Sequence, residues 1–519
     1  MIKGVVRGRL QPFFEKNGYS QHATMSDWTL EAPRHAAFGH FATNIAFDLA
    51  KRLKRSPQQI ASEMSDQLNA DPQVLIWASA QAVSGFVNLT LSDAFICESF
   101  FTLVYHKPRF PRIDGKMLLE YVSANPTGPL HIGHGRWAVI GSVMANLLRY
   151  VGADLSTEFY INDAGSQVQK LYASVNAMRK DQPVPEDGYH GHYIRDLAQM
   201  SADPVAVILA GQRAVLDKLG VRFDNWFSEK SLYGDALVDR AIVALRKKEL
   251  AYDLNGAVWF KSTSFGDEKD RVLVKSTGEY TYFAVDVAYH LSKIERGFDD
   301  LINIWGADHH GYVQRIRAAV MALGGDRFGA DHGFQVILGQ MVSLFRDGVP
   351  VRMSKRSGDM ISLEDVVEEI GVDATRYFLA EKSPDTHLDF DLGLAVQKSN
   401  ENPVFYIQYA HARMCSILEQ AKPEGSASAW DLDPYERAVM LHALLMYDAL
   451  FQAAVQKIPH RFVHYLATLA KLTHQFYENC PALKAEPDVK NRRLQLVLQL
   501  KVLLAECLGV LGISAPVRM

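Results

Sequence analysis

The sequence predicts a multidomain α/β protein: a parallel-sheet domain carrying an insertion, flanked by a small N-terminal α/β domain and a C-terminal helical bundle. Three observations predict it. The chain has 519 residues, room for about three domains of roughly 100–200 residues each. From Met117 onward short apolar strands alternate with longer helices, the rhythm of a parallel sheet. After about Asn400 the strand pattern stops and only helical periodicity continues.

The first domain spans 1–106. Phe41, Ile45, Leu49 and Leu53 recur at helical spacing, and Ser56-Pro57 opens a second helix through Ile60 and Met64 towards Leu68. Ser84 to Leu91 alternates as a half-buried strand does, with Phe86 and Asn88 outward and Val87, Leu89 and Leu91 inward. The proline-rich, basic run Lys107–Lys116 reads as the linker. The sheet domain spans 107–390, with candidate strands Met117–Val122, Leu155–Ile161, Leu301–Trp305 and Phe334–Leu338. Charged, aromatic-containing segments interrupt it between about 181 and 278, which reads as an insertion. The bundle spans 391–519, with candidate helices Phe405–Leu418, Pro434–Val455, His460–Cys480 and Val489–Leu511.

Composition excludes wholesale disorder and fibrous architecture: 48% of residues are hydrophobic and 22% charged. No stretch is expected to reach the roughly 18–20 apolar residues of a membrane-spanning helix, so no membrane partner is expected. The first residues lack the apolar core of a secretory signal. Cys97, Cys415, Cys480 and Cys507 lie far apart, which suits neither a disulfide framework nor a cysteine zinc site and points to a reducing cytoplasm. A net charge of −4 neither requires nor forbids a nucleic-acid partner.

The chemistry is concentrated in the run from Glu120 to Arg136, EYVSANPTGPLHIGHGR. A strand ends near Val122, and a turn rich in proline and glycine delivers His131 and His134 to a helix N-terminus. There the dipole and free N–H groups favour an anion, and Gly133 allows close approach to the backbone. A pair of surface histidines or half of a metal site are the other readings, although no carboxylate or cysteine at the usual spacing completes a ligand set. Some 220 residues later comes DGVPVRMSKRSG, a tight turn followed by a cationic, glycine-ended loop. Together the two stretches read as the halves of an ATP site. Asp308-His309-His310, after a strand, reads either as a metal site or as an adenosine or substrate contact.

At this point the sequence resembles the class I aminoacyl-tRNA synthetases, and in detail the arginyl-tRNA synthetases. The resemblance rests on SANPTGPLHIGHGR, YINDAGSQV, GYHGHYIRDLA, IWGADHHGYVQRIRAAVMALG, DGVPVRMSKRSG and NPVFYIQYAHAR, and covers essentially the whole chain. It implies a Rossmann-like catalytic domain that activates L-arginine with ATP and Mg²⁺, then transfers it to the 2′-OH of the terminal tRNA adenosine. It implies catalytic His131, His134 and Lys355. ATP would be bound by Pro126, Thr127, Gly128, Gly133, Gly306, Asp308, His309, Met353 and Ser354. Arginine would be bound by Glu120, Ser123, Asn125, Glu229, Tyr282, Asp286 and His310. One departure is Arg352 at the first position of the lysine-loop signature, a change that conserves charge.

The resemblance assigns the first domain to the tRNA elbow, where Phe86 and Asn88 would pair a stacking ring with a hydrogen-bonding amide. It assigns the bundle to the anticodon. No tightly bound metal is expected, and a monomer is expected. Two other readings stand beside this one: a nucleotidyltransferase of the same superfamily that does not act on tRNA, and an inactive paralogue kept as an RNA-binding or regulatory protein.

Overall fold

The computed structural model describes residues 1–21, 29–33, 35–346, 348–351, 361–424 and 431–519. In the first domain three antiparallel strands run in the order Phe41–Thr43, Phe86–Leu91, Ala78–Val83. Helices Ile2–Lys16, Ile45–Leu53 and Pro57–Ala70 accompany them. Ser84 and Gly85 both have positive φ, 49° and 86°, the two-residue hairpin turn whose twist matches that of its strands. Phe41 does not extend the helix, as its spacing suggests. It pairs with Leu89 across the sheet, and the helix begins only at Ile45.

The central domain is built on a five-stranded parallel sheet ordered Phe334–Gly339, Asp300–Gly306, Lys116–Glu120, Asp154–Ile161, Asn225–Ser228. All four candidate strands lie in it. The fifth, Asn225–Ser228, comes from within the stretch read as an insertion. It has only four residues, and its DNWFSE sequence lacks the apolar run that marks the others. Later strands flank Lys116–Glu120 on both sides, so the strand order reverses there. Open α/β sheets bind ligands at such a reversal, beyond the carboxyl ends of the strands. Between the fourth and fifth strand-bearing segments, helices Ser166–Arg179, His192–Gln199 and Pro204–Lys218 share a small core of their own, including Leu171, Val175, Ile194 and Leu197. A separate antiparallel sheet (Ala251–Leu254, Ala257–Phe260, Arg271–Val274) lies elsewhere in the same expected insertion.

The C-terminal bundle comprises Pro403–Gln420, Pro434–Leu444, Met446–Val455, Pro459–Asn479 and Pro487–Leu511. The expected single helix Pro434–Val455 is divided at Leu445. Contrary to the sequence expectation, two stretches of described residues are long and apolar enough to cross a membrane. They are Pro434–Val455 and Pro487–Leu511, with mean hydropathy 1.5 and 1.8. Over the most apolar 18 residues of each, 56% and 61% is buried within the protein. Central bundle helices contact neighbours on several sides, and this enriches them in apolar residues.

The domains are joined by buried polar contacts. Arg376, fully enclosed, donates to the Leu511 carbonyl at the end of the last helix, to the Leu219 carbonyl, and to Ser142 Oγ on helix Ile132–Tyr150. Burial pushes its guanidinium down to about 10. Gly512, at φ 68°, is required beside it, because a Cβ there would lie 2.5 Å from the guanidinium. Asn146 donates to the Val510 carbonyl at 2.9 Å. Arg437 of the bundle grips Asp93 of the first domain through two bonds of 2.7 Å.

Candidate active site

The cleft begins where strand Lys116–Glu120 ends. Val122 and Ser123 adopt φ of 68° and 42°. For a β-branched residue this left-handed conformation costs on the order of 1–2 kcal/mol, and such strain is typical of functional turns. Ser123 is held in it from both sides: its Oγ donates to Glu120 Oε1 at 3.1 Å and accepts from the Tyr160 N–H at 3.1 Å. The turn leads through Asn125, buried Pro126 and Thr127, and half-exposed Gly128 to the histidines.

His131 is the N-cap of helix Ile132–Tyr150 and His134 its third residue. The Nδ1 of each ring accepts the backbone N–H of the other residue at 3.3 Å, a reciprocal capping box. The rings stack with centroids 3.6 Å apart. This corrects the sequence reading in one respect. The N–H groups of His131 and His134 are capped by imidazoles, and those of Ile132 and Gly133 have no acceptor among the described residues. An Nδ1 that accepts carries no proton, so each neutral ring bears its proton on Nε2. The helix-capping contacts therefore fix the tautomer whose donor is Nε2–H. A Cβ on Gly133 would stand 3.0 Å from the His131 ring. Ser362, just past the lysine loop, pairs with His131 in an isolated bridge, and Leu363 N–H donates to Leu130 O at 2.8 Å. The segment that follows the expected lysine loop thus lies against the histidine turn. Lys355, Met353 and Ser354, with Arg352, lie outside the described residues.

Across the cleft sit acidic groups of two kinds. Glu158, fully buried, accepts Arg296 through both oxygens at 2.5 and 2.9 Å and also the Tyr289 hydroxyl at 2.7 Å. Burial pushes this carboxyl up, but Arg296 and Lys293 outweigh it and hold it below its ordinary range. Glu120 is likewise matched, by fully buried Lys293, which also donates to Asn303 Oδ1 at 3.2 Å. Asp286 and Glu229 are not matched. Among the described residues the Asp286 carboxylate accepts only the Tyr312 hydroxyl, at 2.5 Å. Burial, opposed by that hydroxyl and reinforced by Glu120 and Glu229, pushes it up to about 7. Glu229 accepts the Tyr160 hydroxyl at 2.9 Å, and burial raises it too. Among the described residues neither has an ion-pair partner. Glu229 is buried and Asp286 half-buried, and such a carboxylate pair without a counter-cation is an electrostatic demand for a cationic ligand.

The remaining expected residues fall at the edges or elsewhere. Tyr282 begins helix Tyr282–Glu295 one turn before Asp286, is 73% exposed, and meets Ser166 Oγ at 3.5 Å. Gly306 ends its strand, and a Cβ there would lie 2.5 Å from Asp308 Oδ1. Asp308, His309 and His310 are exposed on a short 3-10 turn, with His309 Nε2 at 3.7 Å from Asp308. In the first domain Phe86 is 40% exposed, edge-on to Phe47 at 4.9 Å. Asn88 does not point outward as alternation predicts. It is 4% exposed, and its Nδ2 donates to the Phe38 carbonyl at 3.0 Å. The chain around Phe38 covers that part of the strand, which a period-two pattern cannot reveal. Sequence reasoning missed Tyr312, Lys293, Tyr160, Tyr193 and Gln212. Tyr160, Tyr193 and Tyr312 lie inside the motifs that carry the resemblance, whereas nothing marks Lys293 or Gln212. Behind the loop an apolar cavity of about 190 Å³ is bordered by Leu130, Tyr193 and Gln212, and neither Asp286 nor Glu229 lines it.

Comparison with known proteins agrees along the chain. A model described as tRNA synthetases class I (R), catalytic domain, matches residues 111–188 and 192–411. An arginyl tRNA synthetase N terminal domain model matches 2–91, and a DALR anticodon binding domain model matches 407–519. The chain is 44% identical to an arginine–tRNA ligase of Shouchella clausii, with 94% of both chains covered. It is 41% identical to arginine–tRNA ligase 1 of Halalkalibacterium halodurans, with 97% of this chain and 96% of that one covered. The arginyl-tRNA synthetase structure of Thermus thermophilus superposes with TM-score 0.82 at 23% identity, covering all of both chains. That of Plasmodium falciparum superposes at 0.74 and 17%, covering 100% of this chain and 99% of that one. These two structural likenesses speak to the fold.

Proposed function

The chain belongs to the arginyl-tRNA synthetases, class I enzymes that ligate arginine to tRNA, and from that premise we propose how its residues divide the work. In the first step the arginine carboxylate attacks the α-phosphorus of ATP; the new C–O–P bond forms as pyrophosphate leaves. The nucleophile is already ionised, so no general base is needed, and catalysis reduces to positioning and to stabilising phosphate charge. The Nε2–H groups of His131 and His134 and the ammonium of Lys355 are the donors for that charge. Gly128 and Gly133 let the nucleotide approach the backbone, with Pro126 and Thr127 shaping the turn. Gly306, Asp308, His309, Met353 and Ser354 complete the nucleotide side. Mg²⁺ arrives on the ATP phosphates as part of the substrate. In the second step the tRNA 2′-OH attacks the adenylate carbonyl and AMP leaves.

The single observation that carries the substrate assignment is the unmatched pair Asp286 and Glu229. Glu120 and Glu158 have their cations, and Asp286 and Glu229 are left to meet a guanidinium, which takes carboxylates in bidentate geometry. Glu120, Ser123 and Asn125 face the α-amino and carboxylate end, with Tyr282 and His310 at the rim. We assign 1–106 to the tRNA elbow through Phe86, 107–390 to catalysis and 391–519 to the anticodon. Asn88 supports this from within the sheet, by fixing the chain at Phe38. We also propose a cytoplasmic monomer; four buried free thiols are compatible with a reducing compartment.

The test is ATP–pyrophosphate exchange over the common amino acids, with and without arginine tRNA. Exchange with arginine alone among them is the expected result. No exchange under any condition would favour the inactive paralogue.

A further inference from the structure

Three carbonyls of the turn before His131 are held from one side by two side chains outside the sheet. Gln212, 2% exposed on helix Pro204–Lys218, donates its Nε2 to both Asn125 O at 3.1 Å and Gly128 O at 2.9 Å. Tyr193, on helix His192–Gln199, donates its hydroxyl to Thr127 O at 3.0 Å. In a trans peptide the N–H lies opposite the carbonyl, and no peptide bond among the described residues is cis. Two of the three peptides precede Pro126 and Pro129 and have no N–H. The third joins Thr127 to Gly128, so pinning its carbonyl turns the only N–H of the set away from Tyr193. No described residue accepts from that N–H.

We propose that Tyr193 and Gln212 are positioning residues for adenylate formation, with Tyr193 aiming the Gly128 N–H at a nucleotide phosphate oxygen and Gln212 fixing the turn at both ends. The proposal rests on reading this turn as phosphate-binding. It also gives the three-helix module around Leu171 and Ile194 a purpose: its small core holds the two side chains rigid against the loop. A preorganised donor costs no reorientation when charge develops, which is how such donors assist catalysis. The two residues differ in reach. Tyr193 touches only the peptide that bears the donor. Gln212 also holds the carbonyl of Asn125, whose side chain faces arginine.

The test is ATP–pyrophosphate exchange by the full chain with tRNA present, on wild type, Tyr193→Phe and Gln212→Met. Tyr193→Phe is expected to lower kcat/KM for ATP about tenfold and leave the arginine KM within twofold. Gln212→Met is expected to impair both substrates by about tenfold. Melting temperatures recorded alongside separate this from a structural role. Variants that melt lower yet keep wild-type constants per folded molecule would overturn it, as would equal effects of Tyr193→Phe on both substrates. A wild type inactive in exchange would instead defeat the phosphate-loop reading, and the inference with it.

Discussion

The Oδ2 of Asp286 accepts the Tyr312 hydroxyl at 2.5 Å, and among the described residues Tyr312 is the only hydrogen-bond partner of that carboxylate. A neutral hydroxyl stabilises the charge without cancelling it. Glu158, a short distance along the same cleft, shows the alternative: Arg296 meets both of its oxygens. The cleft therefore spends its own cations on Glu158 and Glu120 and keeps Asp286 and Glu229 for a ligand.

Arginine recognition should depend on pH through Asp286. Its carboxyl is raised to about 7, and a guanidinium favours the ionised form, so binding strengthens as pH rises and levels off above that value. Arginine KM is expected to be about tenfold higher at pH 6 than at pH 8. Steady-state exchange at saturating ATP measures it. A flat profile would remove Asp286 from the side-chain pocket.

Asp286→Asn should trade function for stability. A raised carboxyl costs stability only where the unfolded chain has lost its proton and the folded one resists doing so. The penalty is thus absent below the ordinary value of 3.8, grows towards about 7 and is full above it. The interval corresponds to at most about 4 kcal/mol. Without arginine, Asp286→Asn should therefore melt higher than wild type at pH 8 and about equally at pH 4. Its arginine KM should rise at least tenfold, since bonds to charged groups contribute about 1.5–3 kcal/mol. Its preference for arginine over neutral citrulline should shrink. An unchanged KM would place the guanidinium against Glu229 alone.

Phe86→Ala should raise the tRNA KM and leave the arginine and ATP constants within twofold. The ring packs against Phe47 and is 40% exposed, and the stacking of a base on such a ring contributes roughly 1–3 kcal/mol. Aminoacylation kinetics on tRNA transcripts measure this. Unaffected tRNA binding together with a lower melting temperature would make the ring part of the Phe47 core.

What the sequence made legible was whatever carries a local pattern. The four apolar strands, the bundle helices and the histidine turn all announce themselves through period, proline or glycine. What it hid depends on distant packing. Asn88 alternates like an outward residue and is covered by a chain segment fifty positions away. Asn225–Ser228 joins the sheet as a short edge strand that needs no apolar run. Lys293 sits in a helix of ordinary periodicity, and only folding brings it to Glu120, 173 residues earlier. The resemblance named the pocket's acids, but which of them lack a cation became visible only with Arg296 and Lys293 in place.

Arg376 has one more consequence. Its guanidinium is enclosed by the end of the last bundle helix, by Leu219 and by Ser142 of the helix that starts at the histidines. Stranding a buried charge costs about 3–5 kcal/mol, so swivelling the bundle at this joint without moving its neighbours is heavily penalised. The bundle is a strut rather than a swinging arm, and torque applied by tRNA at its far side would be delivered to the helix whose first turn holds His131 and His134.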